Sequence, residues 1–291
     1  MRRSGFSRAA VRRPPRIDPT LANAHLASFP YHQDVNQLPP GYVLNPVIAS
    51  QITESARKLP GGEELSFIST SHAASSNSGP GASASTSKAI TFITSKSGLV
   101  AYVIEGGGAY NLIFGGTTSG ATAGDLTQRS MANLRHTMSQ WAANIKNGLG
   151  GLPKCYTEAQ LLLAALIKHT AYSGSKAAVY GHSLGGGMAT YAAASLSTES
   201  CNIAATGFCS AELGNAAIEA IKANRTEEST AAAISKINHL LIAGDPVSSV
   251  GRVVPRLQHV GDVTKIDHIP GVSNPVKIHD QFMSSISFHF S

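Results

Sequence analysis

Apolar residues form two kinds of pattern along this chain, and each kind predicts a different element of secondary structure. Short apolar runs rich in β-branched and aromatic residues predict buried strands. Stretches in which apolar positions recur three or four residues apart predict helices. The strand segments are 89–94, 99–104, 110–114, 178–180, 207–208 and 237–243, and the helical segments are 46–59, 126–145, 157–170 and 188–196. This alternation is typical of an α/β protein with a mainly parallel central sheet and helices on both faces.

Ser183 lies in the segment with the strongest chemical signal. The sequence Gly181-His182-Ser183-Leu184-Gly185 follows an apolar strand and precedes an alanine-rich helical stretch. Glycines on both sides of the serine let the backbone turn sharply from strand to helix, as in a nucleophile elbow. A chain rich in glycine and serine also produces this pattern by chance, but the strand and helix that flank it favour the elbow.

Asp245 is the predicted acidic partner of the serine. A serine nucleophile needs a histidine base, and the base needs a carboxylate that orients it. In hydrolases with this elbow the order along the chain is Ser, then Asp or Glu, then His, so both partners are expected after Ser183. Asp245 directly follows the buried strand at 237–243, where parallel sheets place functional residues. The alternative for Asp245 is an Asx turn that caps this strand.

Several histidines follow the nucleophile and compete for the role of base. His239 lies inside a predicted strand, which favours packing over catalysis. His279 directly precedes the predicted terminal helix at 280–286, so one end of the residue is held while its ring is free. We therefore predict His279 as the base, with His268 and then His259 as the alternatives.

Four sequence blocks resemble, in order, those of the class 3 lipases, a family of α/β-hydrolases. Segment 112–117 resembles an apolar strand that ends in Phe-Arg-Gly-Ser/Thr, and 181–186 matches the family's Gly-His-Ser-Leu-Gly-Gly elbow. Segment 207–215 is similar to a strand and turn that end in Val-Gly-Asn, and 244–247 is similar to the Asn-Asp-Pro-Val turn that bears the triad aspartate. Segment 258–261 is similar to a His-x-Gly segment between that aspartate and the catalytic histidine.

The resemblance implies an α/β-hydrolase fold and further site residues. It implies an oxyanion hole built from Thr117, through its backbone N–H and hydroxyl, and from the backbone N–H of Leu184. It also implies that His259 is structural, which favours His279 as the base. The chain departs from the family in two places, since Gly115 stands where the family has arginine and the proline usual after the strand at Phe208 is missing. The first departure leaves open what braces the oxyanion loop.

Composition is consistent with one hydrolase core. The chain has 291 residues, of which 42% are hydrophobic. Three cysteines, Cys155, Cys201 and Cys209, are an odd number without metal-type spacing, so we expect no disulfide framework, no metal and no cofactor. They are expected to be small buried hydrophobes, although Cys201 and Cys209 could pair in an exported protein. No apolar run approaches the roughly twenty residues of a membrane span, so we expect a soluble body.

The formal charge of +6 is concentrated before Asp18, where six arginines precede the first acid. We predict that residues 1–45 form a basic, proline-containing arm, and that 46–291 form a single lipase-like domain with a Ser/Gly-rich loop at 69–88. The arm lacks the apolar region of a Sec signal, but it would suit a non-Sec export route, a tether to anionic membranes or a solvated leader. Its arginines cluster in a tail that is interrupted by Pro14 and Pro15, which argues against nucleic acid as a partner.

The sequence therefore predicts a serine-dependent hydrolase of lipid esters, a phospholipase or a lipase, that acts through an acyl-enzyme on Ser183. The segment 118–124, where such lipases carry an amphipathic lid, is small and polar, and the basic arm favours phospholipids over triacylglycerols. Two alternatives belong to other classes of protein. One is a catalytically inactive hydrolase fold used for binding, and the other is a basic nucleic-acid-binding protein.

Overall fold

The structure is a computed structural model, and it describes residues 17–71, 89–116, 151–252 and 256–291. Eight α-helices lie in these ranges: α1 (Pro19–His32), α2 (Pro46–Arg57), α3 (Lys154–Ser173), α4 (Leu184–Leu196), α5 (Asn215–Lys222), α6 (Glu227–Ile234), α7 (Pro275–Asp280) and α8 (Phe282–Phe290). Two short 3₁₀ helices cover Val35–Gln37 and Val247–Arg252. Nine strands lie in the same ranges: β1 (Val43–Leu44), β2 (Ser66–Ser71), β3 (Ala89–Thr94), β4 (Val100–Gly106), β5 (Ala109–Phe114), β6 (Lys176–His182), β7 (Ala204–Phe208), β8 (Ile237–Ile242) and β9 (Asp262–Ile266).

The nine strands form one sheet in the order β2-β3-β4-β5-β6-β7-β8-β9, with β1 added to β4. Every pair from β5 to β9 is parallel, and the pairs on the β2 side of β5 are antiparallel. The predicted strands at 99–104 and 110–114 are β4 and β5, which form an antiparallel hairpin joined at Gly107 and Gly108, both with positive φ. The predicted α/β-hydrolase class is confirmed, and two of the residues predicted to be functional, Ser183 and Asp245, follow strands β6 and β8 of the parallel part of the sheet.

Helices cover both faces of this sheet. Along β5, Leu112 and Phe114 pack on one face with α2, α3, α4 and α5, whereas Ile113 packs on the other face with α1. The α1 face also holds α7 and α8, packed on Phe208, Leu240 and Ile242. Alternate side chains of a strand point to opposite faces, so the continuous apolar runs of the sequence follow from burial on both sides.

Helix α1 has clear start and stop signals. The Asp18 side chain accepts a hydrogen bond from the Thr20 N–H, and Pro19 occupies the first turn, where its missing N–H costs nothing. The helix ends at Gln33, which has a left-handed φ of 53°. Ala24 and Ala27 are fully buried, and their small size lets the helix lie close to the sheet.

The structure corrects several predicted boundaries. The helix after Ser183 begins at Leu184 rather than at 188, and the helix predicted at 157–170 is α3, which is longer at both ends. The terminal helix begins at Phe282, and His279 belongs to the separate helix α7 instead of preceding the terminal helix. The interruption at Gln281, whose φ of −96° and ψ of 27° are not helical, separates α7 from α8.

Several predicted segments lie partly or wholly outside the described residues. Residues 69–71 of the predicted loop belong to β2, while 72–88, the helix predicted at 126–145 and the polar segment 118–124 lie outside the described residues. Most of the predicted arm, from residue 17 to 45, is described and includes α1, while residues 1–16 are not; the boundary at 45 stays a prediction.

All three cysteines are free, and Cys201 is exposed rather than buried as expected. Among the helices that the structure describes, none has the length and apolar character needed to cross a bilayer.

Candidate active site

Ser183 stands at the turn from β6 to α4 with φ 60° and ψ −130°. A positive φ is strained for a serine and persists only where the surroundings enforce it. Backbone hydrogen bonds do so here, because the Ser183 N–H donates to the Phe208 carbonyl at 3.1 Å and the Ser183 carbonyl accepts from the Ala211 N–H at 2.9 Å. These contacts tie the elbow to the end of β7.

The two flanking glycines are required by close backbone contacts. A Cβ at Gly181 would lie 2.2 Å from the Gly185 carbonyl oxygen, and a Cβ at Gly185 would lie 2.2 Å from the Phe114 carbonyl oxygen. Real Cβ atoms do not approach oxygen so closely, so any larger residue would push α4 away from β5 and β6. The pattern Gly-x-Ser-x-Gly therefore has a steric cause in this chain.

Asp245 and His279 form a buried hydrogen-bonded pair. His279 Nδ1 donates to Asp245 Oδ1 at 2.9 Å, and the Val247 N–H donates to the same oxygen at 3.0 Å. Burial pushes the pKa of Asp245 upward, but attraction to His279 and the hydrogen bond from it outweigh this, and the net pKa lies below its ordinary value. A carboxylate on Nδ1 fixes the tautomer of His279, so its Nε2 carries the lone pair that a base needs.

Ser183 and His279 line one cavity of about 550 Å³. Helix α1 forms one wall and α7 with α8 the other. The lining residues are His25, Ser28, Tyr31, His32, Gln37, His182, Ser183, His279, Asp280, Phe282, Met283, Ser284 and Ser287. The α1 residues were not among the predicted site residues, although His25, Ser28 and His32 recur at helical spacing along one face of the helix, and this signal could have indicated them.

The alternative histidines do not line this cavity. His268 Nδ1 lies 3.1 Å from the Ala243 carbonyl oxygen, to which it donates. His239 is buried, with Ser210 Oγ 2.6 Å from its Nδ1 and the Val260 carbonyl oxygen 2.9 Å from its Nε2. The ring of His259 packs against that of His239 with centroids 4.4 Å apart. Of the predicted candidates, the structure brings only His279 to both Asp245 and the cavity of Ser183.

Of the two predicted oxyanion donors, Leu184 lies in the described residues and Thr117 does not. Leu184 is the first residue of α4, so its N–H lies in the first helical turn, where backbone donors have no partner within the helix and the helix dipole favours negative charge. Thr117 lies outside the described residues, which on this strand end with Gly116.

His182, Cys209 and His279 place potential metal-ligating atoms within 4.8 Å of one another, although their spacing in sequence gave no such signal. Their surroundings do not fit a metal. Both ring nitrogens of His182 are within hydrogen-bond distance of protein oxygens, of Tyr31 and of the His279 backbone. Burial raises the pKa of the Cys209 thiol well above its ordinary value, which disfavours the thiolate that a metal would need.

The elbow, the buried Asp–His pair and the shared cavity define a serine ester hydrolase on an α/β-hydrolase fold. The chain belongs to the phospholipase-like family whose model, the Tle-like phospholipase domain, matches residues 87–274. The predicted lipase-like family is thus confirmed, and the protein is a hydrolase of lipid esters. No curated protein matches the chain significantly.

Solved lipase structures resemble the chain distantly. The Lip2 lipase from Yarrowia lipolytica is 14% identical, with 89% of this chain and 83% of that chain covered and a TM-score of 0.43. The Rhizomucor miehei lipase is 15% identical, with 77% and 70% covered and a TM-score of 0.38. A triacylglycerol lipase described as having a serine protease triad is 17% identical, with 78% and 83% covered and a TM-score of 0.41. Likeness at this level does not extend their substrates to this chain.

Proposed function

We propose that this protein cleaves carboxylic ester bonds of phospholipids through an acyl-enzyme on Ser183. The observation that carries the proposal is the Asp245–His279 hydrogen bond of 2.9 Å, with His279 in the same cavity as the strained elbow serine. The phospholipase-like family model supports the choice of substrate class.

The roles follow from the donors and acceptors of these groups. His279 Nε2 takes the proton from the Ser183 hydroxyl as Oγ forms a bond to the ester carbonyl carbon. The carbonyl oxygen becomes an oxyanion, which the N–H groups of Leu184 and Thr117 stabilise. When the tetrahedral intermediate collapses, His279 gives its proton to the leaving alcohol oxygen. Water, deprotonated by the same nitrogen, then attacks the acyl-serine, and His279 returns that proton to Ser183 Oγ as the bond to the acyl carbon breaks and the fatty acid leaves. Asp245 stabilises the imidazolium in both steps.

The cavity lining is compatible with a phospholipid substrate. Histidine, serine, glutamine and aspartate side chains bring polar groups to it, while apolar atoms provide more of the lining surface than polar atoms do. The polar groups suit the phosphate and glycerol oxygens close to the scissile ester, and the apolar surface suits an acyl chain.

The test is an ester series on the full chain, from short soluble esters to triacylglycerol emulsions and to neutral and anionic phospholipid vesicles. We expect fatty-acid release from vesicles to exceed release from the emulsion, without a sharp rise in rate when the substrate forms an interface. A fluorophosphonate should label the wild type and not Ser183→Ala. Labelling that survives this substitution would refute the role of Ser183, and a chain that neither reacts nor hydrolyses any ester would be a binding protein on a hydrolase fold.

The basic arm enters as a second part of the proposal. Residues 1–16 lie outside the described residues, and we propose from their arginines that they tether the protein to anionic membranes and suit a non-Sec export route. Removing Met1–Arg16 should slow hydrolysis of anionic vesicles, spare soluble esters, and matter less as salt rises. Equal rates of the truncated chain and the full chain on anionic vesicles at low salt would eliminate the tether.

A further inference from the structure

Tyr31 connects helix α1 to the two backbone segments that meet at Ser183. Its hydroxyl oxygen accepts a hydrogen bond from the Gly116 N–H at 3.0 Å and lies 2.9 Å from His182 Nδ1. The hydroxyl also lies 3.3 Å from the His182 carbonyl oxygen. Gly116 follows β5 and His182 directly precedes the nucleophile, so one side chain from outside the sheet contacts both.

The direction of each hydrogen bond follows from one carbonyl group. His182 Nε2 lies 3.2 Å from the His279 backbone oxygen, which can only accept, so Nε2 carries the ring proton. Burial keeps the pKa of His182 well below its ordinary value, so the ring is neutral and Nδ1 has a lone pair instead of a proton. The Tyr31 hydroxyl accepts from the Gly116 N–H, and its own proton lies between two acceptors of His182, Nδ1 at 2.9 Å and the carbonyl oxygen at 3.3 Å. The chain of bonds runs from Gly116 through Tyr31 and His182 to the backbone of His279.

The packing around this chain leaves little freedom. A Cβ at Gly116 would lie 2.4 Å from the Tyr31 hydroxyl oxygen and 3.1 Å from Ser183 Cβ, so only glycine lets the hydroxyl approach. On the other side, the Phe282 ring stacks on His182 with centroids 4.0 Å apart and planes 11° apart. His182 is therefore held from α1 by a hydrogen bond and from α8 by a ring contact.

We propose that Tyr31 is a positioning residue that holds the strand end at Gly116 in register with Ser183 and His279. This inference rests on the proposed function of the same site. It also answers a question raised by the sequence, because the arginine expected beside this strand end is replaced by Gly115 and the structure provides a hydroxyl from α1 at the next residue. Gly116 directly precedes Thr117, the oxyanion donor that the sequence predicts. In this role Tyr31 does not contact the substrate. It fixes the backbone at Gly116, the residue before the predicted oxyanion donor.

The experiment compares Tyr31→Phe with Tyr102→Phe in the full chain on a short soluble ester. Tyr102 is the matched control, because its buried hydroxyl accepts a hydrogen bond from Gln33 Nε2 at 2.8 Å and so also joins α1 to the sheet, away from the cavity. Deleting a direct oxyanion donor lowers kcat roughly 10²- to 10³-fold. We expect Tyr31→Phe to lower kcat about tenfold or somewhat more with KM changed less than about twofold, since positioning for the oxyanion acts in the transition state. Tyr102→Phe should retain kcat, even where its melting temperature falls equally.

A second measurement does not depend on turnover. The ¹⁵N shifts of histidine-labelled protein, with His182 assigned by a His182→Asn variant, should show an Nε2–H tautomer in both proteins, because the His279 carbonyl still accepts from Nε2. The Nδ1 resonance of His182 should move downfield in Tyr31→Phe, because Nδ1 loses the hydrogen bond from the tyrosine hydroxyl. Equal kcat in the two phenylalanine variants, or a change confined to KM, would overturn the proposal. If the wild type hydrolyses no ester, the proposed function fails, and the Nδ1 shift of His182 decides the role of Tyr31: a spectrum unchanged by Tyr31→Phe refutes it, and the expected shift supports it.

Discussion

Two serine–histidine pairs in the described residues differ in every feature that catalysis needs. Ser210 Oγ lies 2.6 Å from His239 Nδ1, yet Ser210 is fully buried and does not line the cavity. Ser183 reaches the cavity from a strained backbone, and His279 faces it with a carboxylate behind the ring.

The partner on the far nitrogen of the ring separates the pairs further. His239 has a neutral carbonyl, that of Val260, where His279 has the Asp245 carboxylate. Burial, with the nearby His259, lowers the pKa of His239 to about 3, so its ring cannot hold a proton at neutral pH. A negative charge behind His279 stabilises the imidazolium instead. A hydrogen bond between a serine and a histidine is therefore not sufficient for catalysis. The nucleophile also needs access to substrate, and the base needs a nearby negative charge that stabilises its protonated form.

The largest expected effect is a change in kcat when the hydroxyl of Ser183, compared with that of Ser210, is removed. Ser183→Ala should lower kcat by roughly 10⁴- to 10⁶-fold, because it removes the nucleophile. Ser210→Ala should leave kcat within about threefold, because Ser210 does not reach the cavity. Ester hydrolysis by the two purified variants measures both effects, and comparable losses would mean that the buried pair takes part in catalysis.

The histidines and the aspartate provide the next contrast. His279→Ala should lose activity about as completely as Ser183→Ala, and Asp245→Asn should lower kcat by about 10⁴-fold, because the tautomer and charge of the base depend on the carboxylate. His259→Ala and His268→Ala should retain turnover. Activity that survives His279→Ala but not His268→Ala would move the base to His268.

A smaller effect concerns stability. Ser210→Ala leaves His239 Nδ1 without its hydrogen-bond partner in a buried site, so the free energy of unfolding should fall by about 1–3 kcal/mol. Urea unfolding of this variant beside Ser183→Ala, whose hydroxyl faces the cavity, should show the larger loss for Ser210→Ala. The opposite order would place the structurally important hydroxyl at the elbow.

The smallest effect is a dependence of stability on pH. The pKa of His239 is lowered from 6.5 to about 3 in the folded protein, so the unfolded chain binds a proton that the folded chain does not as the pH falls below 6.5. The stability that the folded protein gains from keeping His239 unprotonated is fully present above about pH 6.5. It is lost progressively as the pH falls toward 3. Asp245, with a folded pKa below 3.8, acts in the same direction only at lower pH. Between pH 7 and 5, His239→Gln should therefore flatten the slope of unfolding free energy, and Asp245→Asn should not.

Much of the candidate site could be predicted because its signals are local. The steric needs of the elbow are met within Gly181–Gly185, and Asp245 lies three residues after the end of β8, so nearby residues indicate both. The pairing of Ser210 with His239 has no such signal, since it depends on the register in which Gly207 of β7 faces His239 of β8. The contact between Tyr31 and Gly116 has even less signal in the sequence, because only the packing of α1 on the sheet brings the two residues together. Helical periodicity shows which face of α1 is buried but not which residues that face contacts.

The cavity lies between helices that are far apart in the chain, α1 before the first strand and α8 after the last. Bringing them together requires closure of a loop that contains the whole sheet, which is entropically costly until the sheet has formed. During synthesis, the sheet and elbow can assemble while α8 and the Phe282 contact to His182 are still missing. The cavity beside Ser183 would thus take its final shape only when α1 and α8 meet, among the last steps of folding.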